Sequence, residues 1–160
     1  MKLALKLAAV VILTVVAPGL LLAQSNTEIG TWKLNVAQSN YSPGPPPKSE
    51  TRTYEAHGDT LRMSRDGVAG DGSKIAYTNT TSEDGKDAQI SGVGAPNGAD
   101  TISNTRIDAN TVSYTLKKAG KVVQTGSVVV SKDGKFMTIT SKGTNTQGQS
   151  TNNTTVWDKQ

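Results

Sequence analysis

The sequence predicts an all-β protein, and within that class an up-and-down antiparallel β-barrel of about ten strands, with a β-sandwich as the alternative. Apolar and polar residues alternate at period two along nearly every segment, and none keeps a helical apolar stripe. Residues 24–160 contain twenty Thr and fourteen Ser, and Thr favours strands over helix interiors. Gly and Asn recur between the alternating segments, where tight turns need them.

The predicted strands are short and are separated by turn residues at regular intervals. Asp-Gly pairs supply the positive φ angles of tight hairpins, so strands that are neighbours in sequence are expected to pair antiparallel. The predicted strands are residues 30–36, 50–57, 60–66, 74–82, 87–92, 100–107, 111–118, 121–131, 135–143 and 150–158. Such a meander has two exposed edges unless it closes, and closure into a barrel removes both.

One connection, residues 37–49, is too long to be a hairpin turn. It contains the run Tyr41-Ser42-Pro43-Gly44-Pro45-Pro46-Pro47-Lys48 and lies between the first two predicted strands. Prolines favour the stiff, extended polyproline II conformation. We expect a lid or a structural crossing over the barrel mouth, and a proline-rich ligand for an adaptor domain is the alternative.

The first 23 residues have the pattern of a secretory signal peptide. Lys2 and Lys6 precede an apolar run, and the small residue Ala23 comes before a polar stretch. Cleavage after Ala23 would leave residues 24–160 as a single barrel domain, secreted or in a bacterial periplasm, without a membrane span. The alternative is an uncleaved anchor, since about 20 apolar residues can cross a bilayer.

Charge and composition exclude several classes of function. The chain has 17 basic and 13 acidic side chains, a formal net charge of +4, and this balance is too mild for a nucleic-acid partner. The absence of cysteine excludes disulfides and a Cys nucleophile. The single histidine, His57, lies beside a turn. The sequence therefore predicts no enzyme, no metal site and no cofactor.

The segment Gly30-Thr31-Trp32-Lys33-Leu34 resembles the first strand of the fatty-acid-binding proteins, and the wider calycin group, which includes the lipocalins and avidins, shares its Gly-x-Trp opening. The same opening is similar to that of small secreted bacterial proteins of unassigned role. The resemblance implies that Gly30 and Trp32 close the barrel floor around a small hydrophobic or amphipathic ligand. The fatty-acid-binding family also carries an Arg-x-Tyr anchor in its last strand. That anchor falls here on Thr155 and Trp157, so the usual headgroup site is missing.

The alternation also indicates which side chains point into the barrel. The expected inward residues are Trp32, Leu34, Val36, Arg52, Tyr54, Ala56, Leu61, Met63, Ile75, Tyr77, Ile102, Val112, Tyr114, Leu116, Val128 and Val130. The candidate ligand-binding residues are Arg52, Tyr54, Tyr77, Arg106 and Tyr114. Arg52 and Tyr54 would together clamp an anion, through a planar fork of donors and a hydroxyl. In the alternative, Arg52 points to solvent or stacks on Trp32 at the floor.

Two functional hypotheses follow from these features. The first is a monomeric carrier or sensor of a small, partly hydrophobic ligand, which requires an internal cavity with aromatic walls and one or two polar anchors. The second is a non-enzymatic interaction domain of the cell envelope or surface, whose interior is filled by its own side chains.

Overall fold

The computed structural model describes residues 26–160, so the predicted signal peptide and its cleavage site lie outside the described residues. Within this range no helix is long and apolar enough to cross a membrane. The strands are β1 (Gly30–Asn40), β2 (Ser49–His57), β3 (Thr60–Val68), β4 (Lys74–Thr81), β5 (Asp84–Gln89), β6 (Ser91–Val93), β7 (Thr101–Arg106), β8 (Thr111–Lys118), β9 (Lys121–Val130), β10 (Phe136–Thr144) and β11 (Ser150–Lys159). A short 3-10 helix, Pro96–Gly98, precedes β7.

The eleven strands form one sheet that curls into a nearly closed antiparallel barrel. Their order around the sheet is β5-β7-β8-β9-β10-β11-β1-β2-β3-β4-β6. The first and last strands pair with each other, with Leu34 opposite Trp157. The predicted all-β, up-and-down barrel is confirmed, and the β-sandwich alternative does not describe the molecule.

The seam of the barrel is where the predicted strand pattern differs from the structure. The single predicted strand at 87–92 is two strands, because β5 pairs with β7 while β6 pairs with β4. The chain thus crosses the seam at Ile90, whose N–H donates to the carbonyl oxygen of Asp100 at 2.9 Å. Gly92 allows the crossing: its φ is +121°, and a Cβ there would lie 2.2 Å from the carbonyl oxygen of Ala76.

Two residues expected to face inward are instead exposed. Val36 is 37% exposed because β1 bulges against β11 between Asn35 and Asn40, which redirects the side chains there. Ala56 is exposed because it lies next to the β2–β3 hairpin, at the rim of the barrel. The other expected apolar residues, among them Trp32 and Val112, are buried, except for Tyr114, which is half-buried against the core.

Different segments cover the two ends of the barrel. Residues 41–48, here called the proline segment, run from β11 to the β3–β4 loop. The N–H of Ser42 donates to Oδ1 of Asn153 at 2.9 Å, and the N–H of Lys48 donates to the carbonyl oxygen of Val68 at 2.8 Å. At the opposite end, residues 26–29 fold over the opening and bury the Glu28 side chain.

Candidate functional site

Two arginines face each other inside the barrel, in a row that crosses three strands. Arg52 on β2 is directly opposite Arg65 on β3, which is in turn opposite Tyr77 on β4. Each guanidinium donates to a phenol: Nη1 of Arg52 to Tyr54 at 3.1 Å and Nη1 of Arg65 to Tyr77 at 2.5 Å. Both also lie over the ring of Trp157, at 4.7 Å and 5.8 Å from its centroid. Aromatic faces attract cations, so these rings hold the two charges in place.

Only one of these two arginines has a carboxylate partner. Arg65 forms an ion pair with Glu50, whose side chain is almost fully buried. Across residues 26–160, Arg52 has no ion-pair partner, and its Nε is buried without a hydrogen bond. These three charged groups therefore leave one excess positive charge in the interior. Charges buried without a partner are costly, so the position of Arg52 needs an explanation.

Four of the five candidate residues line one internal cavity of about 50 Å³. Arg52, Tyr54, Tyr77 and Tyr114 meet there, beside an apolar wall that includes Met63. Burial raises the pKa of Tyr54 to about 12, so this phenol keeps its proton at neutral pH. Its hydroxyl accepts from Arg52 and still has a hydrogen to donate.

A second, more open cavity of about 200 Å³ lies next to the first, below the proline segment. Tyr41 and Pro47 of that segment line it, together with Trp157. Arg52 and Tyr114 line both cavities. The surface that Arg52 still exposes thus faces the barrel interior, where an anion could reach it.

The fifth candidate, Arg106, lies at the end of the barrel covered by residues 26–29 and is not among the residues that line the first cavity. Its Nη2 donates to Oε2 of Glu28 at 2.8 Å and to Oε2 of Glu83 at 2.5 Å. Two carboxylates thus share one guanidinium, and Glu28 also lines the first cavity. When both carboxylates are ionised, the excess charge is negative at this end, whereas it is positive around Arg52.

The burial of Glu28 beside Glu83 makes the stability of the barrel depend on pH. Burial, and then the charge of Glu83, raise the pKa of Glu28 to about 7, although Arg106 opposes them. An unfolded Glu has a pKa of about 4.3, so the folded state binds the extra proton between the two values. The stabilisation of the folded state by this proton is fully present below a pH of about 4 and is lost as the pH rises through about 7.

We therefore expect the free energy of unfolding to fall between pH 5 and pH 8 in wild-type protein, and this fall to be absent in Glu28→Gln. Urea denaturation across that range measures both. Glu55→Gln is the control, because Glu55 is exposed on β2, and it should keep the wild-type slope. An unchanged slope in Glu28→Gln would show that another group titrates.

The two residues expected at the barrel floor lie at the end covered by residues 26–29. Trp32 is fully buried, and its Nε1 donates to the carbonyl oxygen of Glu28 at 2.8 Å. The cation over its ring is Lys159, at 4.8 Å, and not Arg52. Gly30 has φ of +128°, and a Cβ there would lie 2.8 Å from Cε of Lys159. Glycine at this position therefore lets Lys159 cover the tryptophan.

Sequence reasoning missed several polar residues of the interior. Glu50 and Arg65 lie two positions from Arg52 and Met63, so the period-two pattern already placed them on the inward face. Asn79 follows Tyr77 by the same spacing and is 4% exposed. The inward set expected from the alternation consists mostly of apolar and aromatic residues, which is why it does not contain these charged and amide side chains.

Comparisons with known proteins relate the chain to others by its fold. No protein-family model matches the chain. No curated protein matches it either. The zebrafish ileal bile acid-binding protein, solved in complex with cholic acid, has a TM-score of 0.52 and 12% identity, over 84% of this chain and 99% of that one. A redesigned β-barrel, mFAP1, bound to DFHBI, has a TM-score of 0.44 and 14% identity, over 83% of this chain and 95% of that one. The likeness to the bile acid-binding protein shows that the chain shares the β-barrel fold of that protein.

Proposed function

We propose that the barrel binds a small, partly hydrophobic organic anion in its interior. Arg52 is the observation that carries this proposal. It lies inside the barrel, it has no carboxylate partner in the described part of the chain, and it lines both cavities. An anion would supply the missing charge partner, and the hydroxyl of Tyr54 would donate a second hydrogen bond.

The surroundings of Arg52 suit a ligand with an apolar body. Tyr77, Tyr114 and Trp157 supply aromatic walls around the two cavities. Small-molecule sites are typically apolar with a few convergent polar groups, and this interior has that composition. The complex of the bile acid-binding protein with cholic acid is one precedent for ligand binding by a protein of this fold.

The size of the interior limits which anions fit. Cavities of about 50 Å³ and 200 Å³ are smaller than a typical drug-sized site, which holds about 300–1,000 Å³. We therefore propose a ligand with an acidic group and a short apolar body. A steroid or a long fatty acid would require the proline segment to move.

The test compares wild-type protein with Arg52→Met in thermal unfolding against short carboxylates such as 4-methylpentanoate and benzoate. Wild-type protein should gain about 2.7 kcal/mol at a hundredfold excess over Kd, a midpoint rise on the order of 10 °C. Arg52→Met should show no rise. Without ligand its midpoint should equal or exceed that of wild type, because the change removes a buried charge without a carboxylate partner. The control Arg62→Met alters an exposed arginine on β3 and should respond like wild type.

The small cavity favours a second candidate function, an interaction domain of the envelope or surface with a filled barrel. In that case none of the carboxylates changes the midpoint of wild-type protein. A rise that persists in Arg52→Met would also contradict the proposed anchor, because the anion would then bind elsewhere.

We also propose that the protein acts by binding rather than catalysis, and outside the cytoplasm. The polar groups of the interior are arginines, tyrosines, amides and the carboxylates of Glu28 and Glu50, and each of these carboxylates forms an ion pair with an arginine. His57 is exposed at the end of β2. The signal-peptide pattern of the first 23 residues supports export. Sequencing the N-terminus of protein from the producing cell tests the proposed export. An intact Met1 would contradict cleavage of the signal peptide.

A further inference from the structure

A second polar group, distinct from the arginines, faces the first cavity. Asn79 on β4 is 4% exposed and lines this cavity. Neither its Nδ2 nor its Oδ1 has a hydrogen-bond partner among the residues that the structure describes. A buried amide with no bonds at all is unusual, because both of its polar atoms lose their water on folding.

Asn104 on β7 reaches the same cavity from the other side of the seam. Its Nδ2 donates to Oγ1 of Thr81 at 3.1 Å, which fixes the orientation of the amide. Its Oδ1 is buried and has no partner within residues 26–160. The strands β4 and β7 lie on opposite sides of the seam and do not pair with each other. Both nevertheless contribute an amide with a free polar atom to the lining of the first cavity.

The free atoms match a particular ligand group. In either orientation of its amide, Asn79 offers one donor and one acceptor side by side. Asn104 adds an acceptor. A carboxamide presents the complementary edge, one N–H donor group beside one carbonyl acceptor, whereas a methyl group or a second carboxylate does not.

The sheet register sets the distance between this group and the anion site. Arg52, Arg65 and Tyr77 form one row across β2, β3 and β4, and Tyr54, Met63 and Asn79 form the next inward row. Adjacent inward rows are two residues apart, or about 7 Å along a strand, and β2 and β4 are two strands apart, or roughly 10 Å across the sheet. The side chains of Arg52 and Asn79 nevertheless line the same cavity. A short ligand, whose acid and amide groups are separated by two methylenes, therefore suits the space between them.

We propose that the ligand is an organic anion that carries a carboxamide, with its anionic group at Arg52 and its amide at Asn79 and Asn104. This inference rests on the proposed function, which requires the anion site but not the amide site. It names a second determinant of specificity inside the barrel, supplied by the two strands at the seam.

The test uses two ligands of the same shape, succinamate and 4-methylpentanoate, which differ in a carboxamide and an isopropyl group. Calorimetric titration of wild-type protein should give at least about tenfold tighter binding of succinamate, since the other ligand leaves the buried amides unpaired. Asn79→Leu keeps the side-chain shape and should lose that preference while it still binds 4-methylpentanoate. Asn104→Leu should reduce the preference too. Asn152→Leu, an exposed asparagine on β11, should keep it.

Each other outcome has a defined meaning. Equal binding of both ligands by wild-type protein, lost in Arg52→Met, overturns the amide site and leaves the anion site standing. No binding of either ligand overturns both. A preference for succinamate that survives in both Asn79→Leu and Asn104→Leu overturns the amide site, because the carboxamide is then recognised by other groups. Thermal unfolding of each variant confirms that it is folded before it is titrated.

Discussion

The Glu50→Gln variant is expected to lose about 3–5 kcal/mol of unfolding free energy, the cost of removing one partner of a buried ion pair. Glu50 is 3% exposed and carries the negative charge closest to Arg65. Without it, Arg52 and Arg65 remain opposite each other across β2 and β3 as two buried cations. Their mutual repulsion adds to the desolvation of each one.

Urea denaturation measures this loss, and two further variants identify its cause. Glu55→Gln changes an exposed carboxylate on the same strand and should cost less than about 0.5 kcal/mol. The double variant Glu50→Gln/Arg65→Met removes both partners and should recover most of the stability, because no unpaired charge is created. A loss below about 1 kcal/mol in Glu50→Gln alone would mean that the carboxylate does not offset the arginine charges.

The second large effect is expected at Trp157, where Trp157→Ala should cost about 3–5 kcal/mol. The side chain is 1% exposed, so its loss leaves a cavity in the core. Its Nε1 donates to Oγ1 of Thr155 at 2.9 Å, a bond that the variant also loses. In addition, the ring supports the guanidinium of Arg52 at 4.7 Å. Removing it takes away packing, a hydrogen bond and a cation–π contact together.

Equilibrium unfolding of a short series separates these contributions. Phe136→Ala is the matched control for loss of an aromatic ring, because Phe136 is 45% exposed, and it should cost less than about 1 kcal/mol. Trp157→Phe keeps an aromatic face under Arg52, so its loss of unfolding free energy should lie between those of Trp157→Ala and Phe136→Ala. Similar costs for Trp157→Ala and Phe136→Ala would contradict the assigned burial of Trp157.

Much of the barrel could be predicted because strand periodicity is a local property of the chain. Successive side chains of a strand point to opposite faces, so the apolar positions mark the inward face without knowledge of the neighbours. The β9–β10 hairpin at Asp133-Gly134 was predictable for the same reason. The hairpin expected at Asp84-Gly85 was wrong, because these residues lie in β5, which pairs with β7 and not with β4. The seam was not, because whether residues 84–93 pair with β4 or β7 depends on how the sheet closes.

The sequence predicted most of the residues that line the candidate site, but it did not predict which charged residues form ion pairs there. The alternation placed Arg52, Tyr54, Tyr77 and Tyr114 on inward faces, and one cavity contains all four. The same reasoning grouped Arg106 with them, whereas the fold of residues 26–29 over the barrel end pairs it with Glu28. No sequence spacing indicates that contact, because the two residues are 78 positions apart.

By itself, the sequence determined the strand class, the antiparallel pairing of most neighbouring strands and most of the inward-facing positions, and it favoured a barrel over a sandwich. Only the tertiary structure decided which buried charges have partners: Glu50 pairs with Arg65, and Arg52 is left over the ring of Trp157. The physical reason lies in the range of each interaction. Backbone pleating acts between neighbouring residues, whereas the partner of a buried charge depends on sheet register and barrel closure, which bring distant strands into contact.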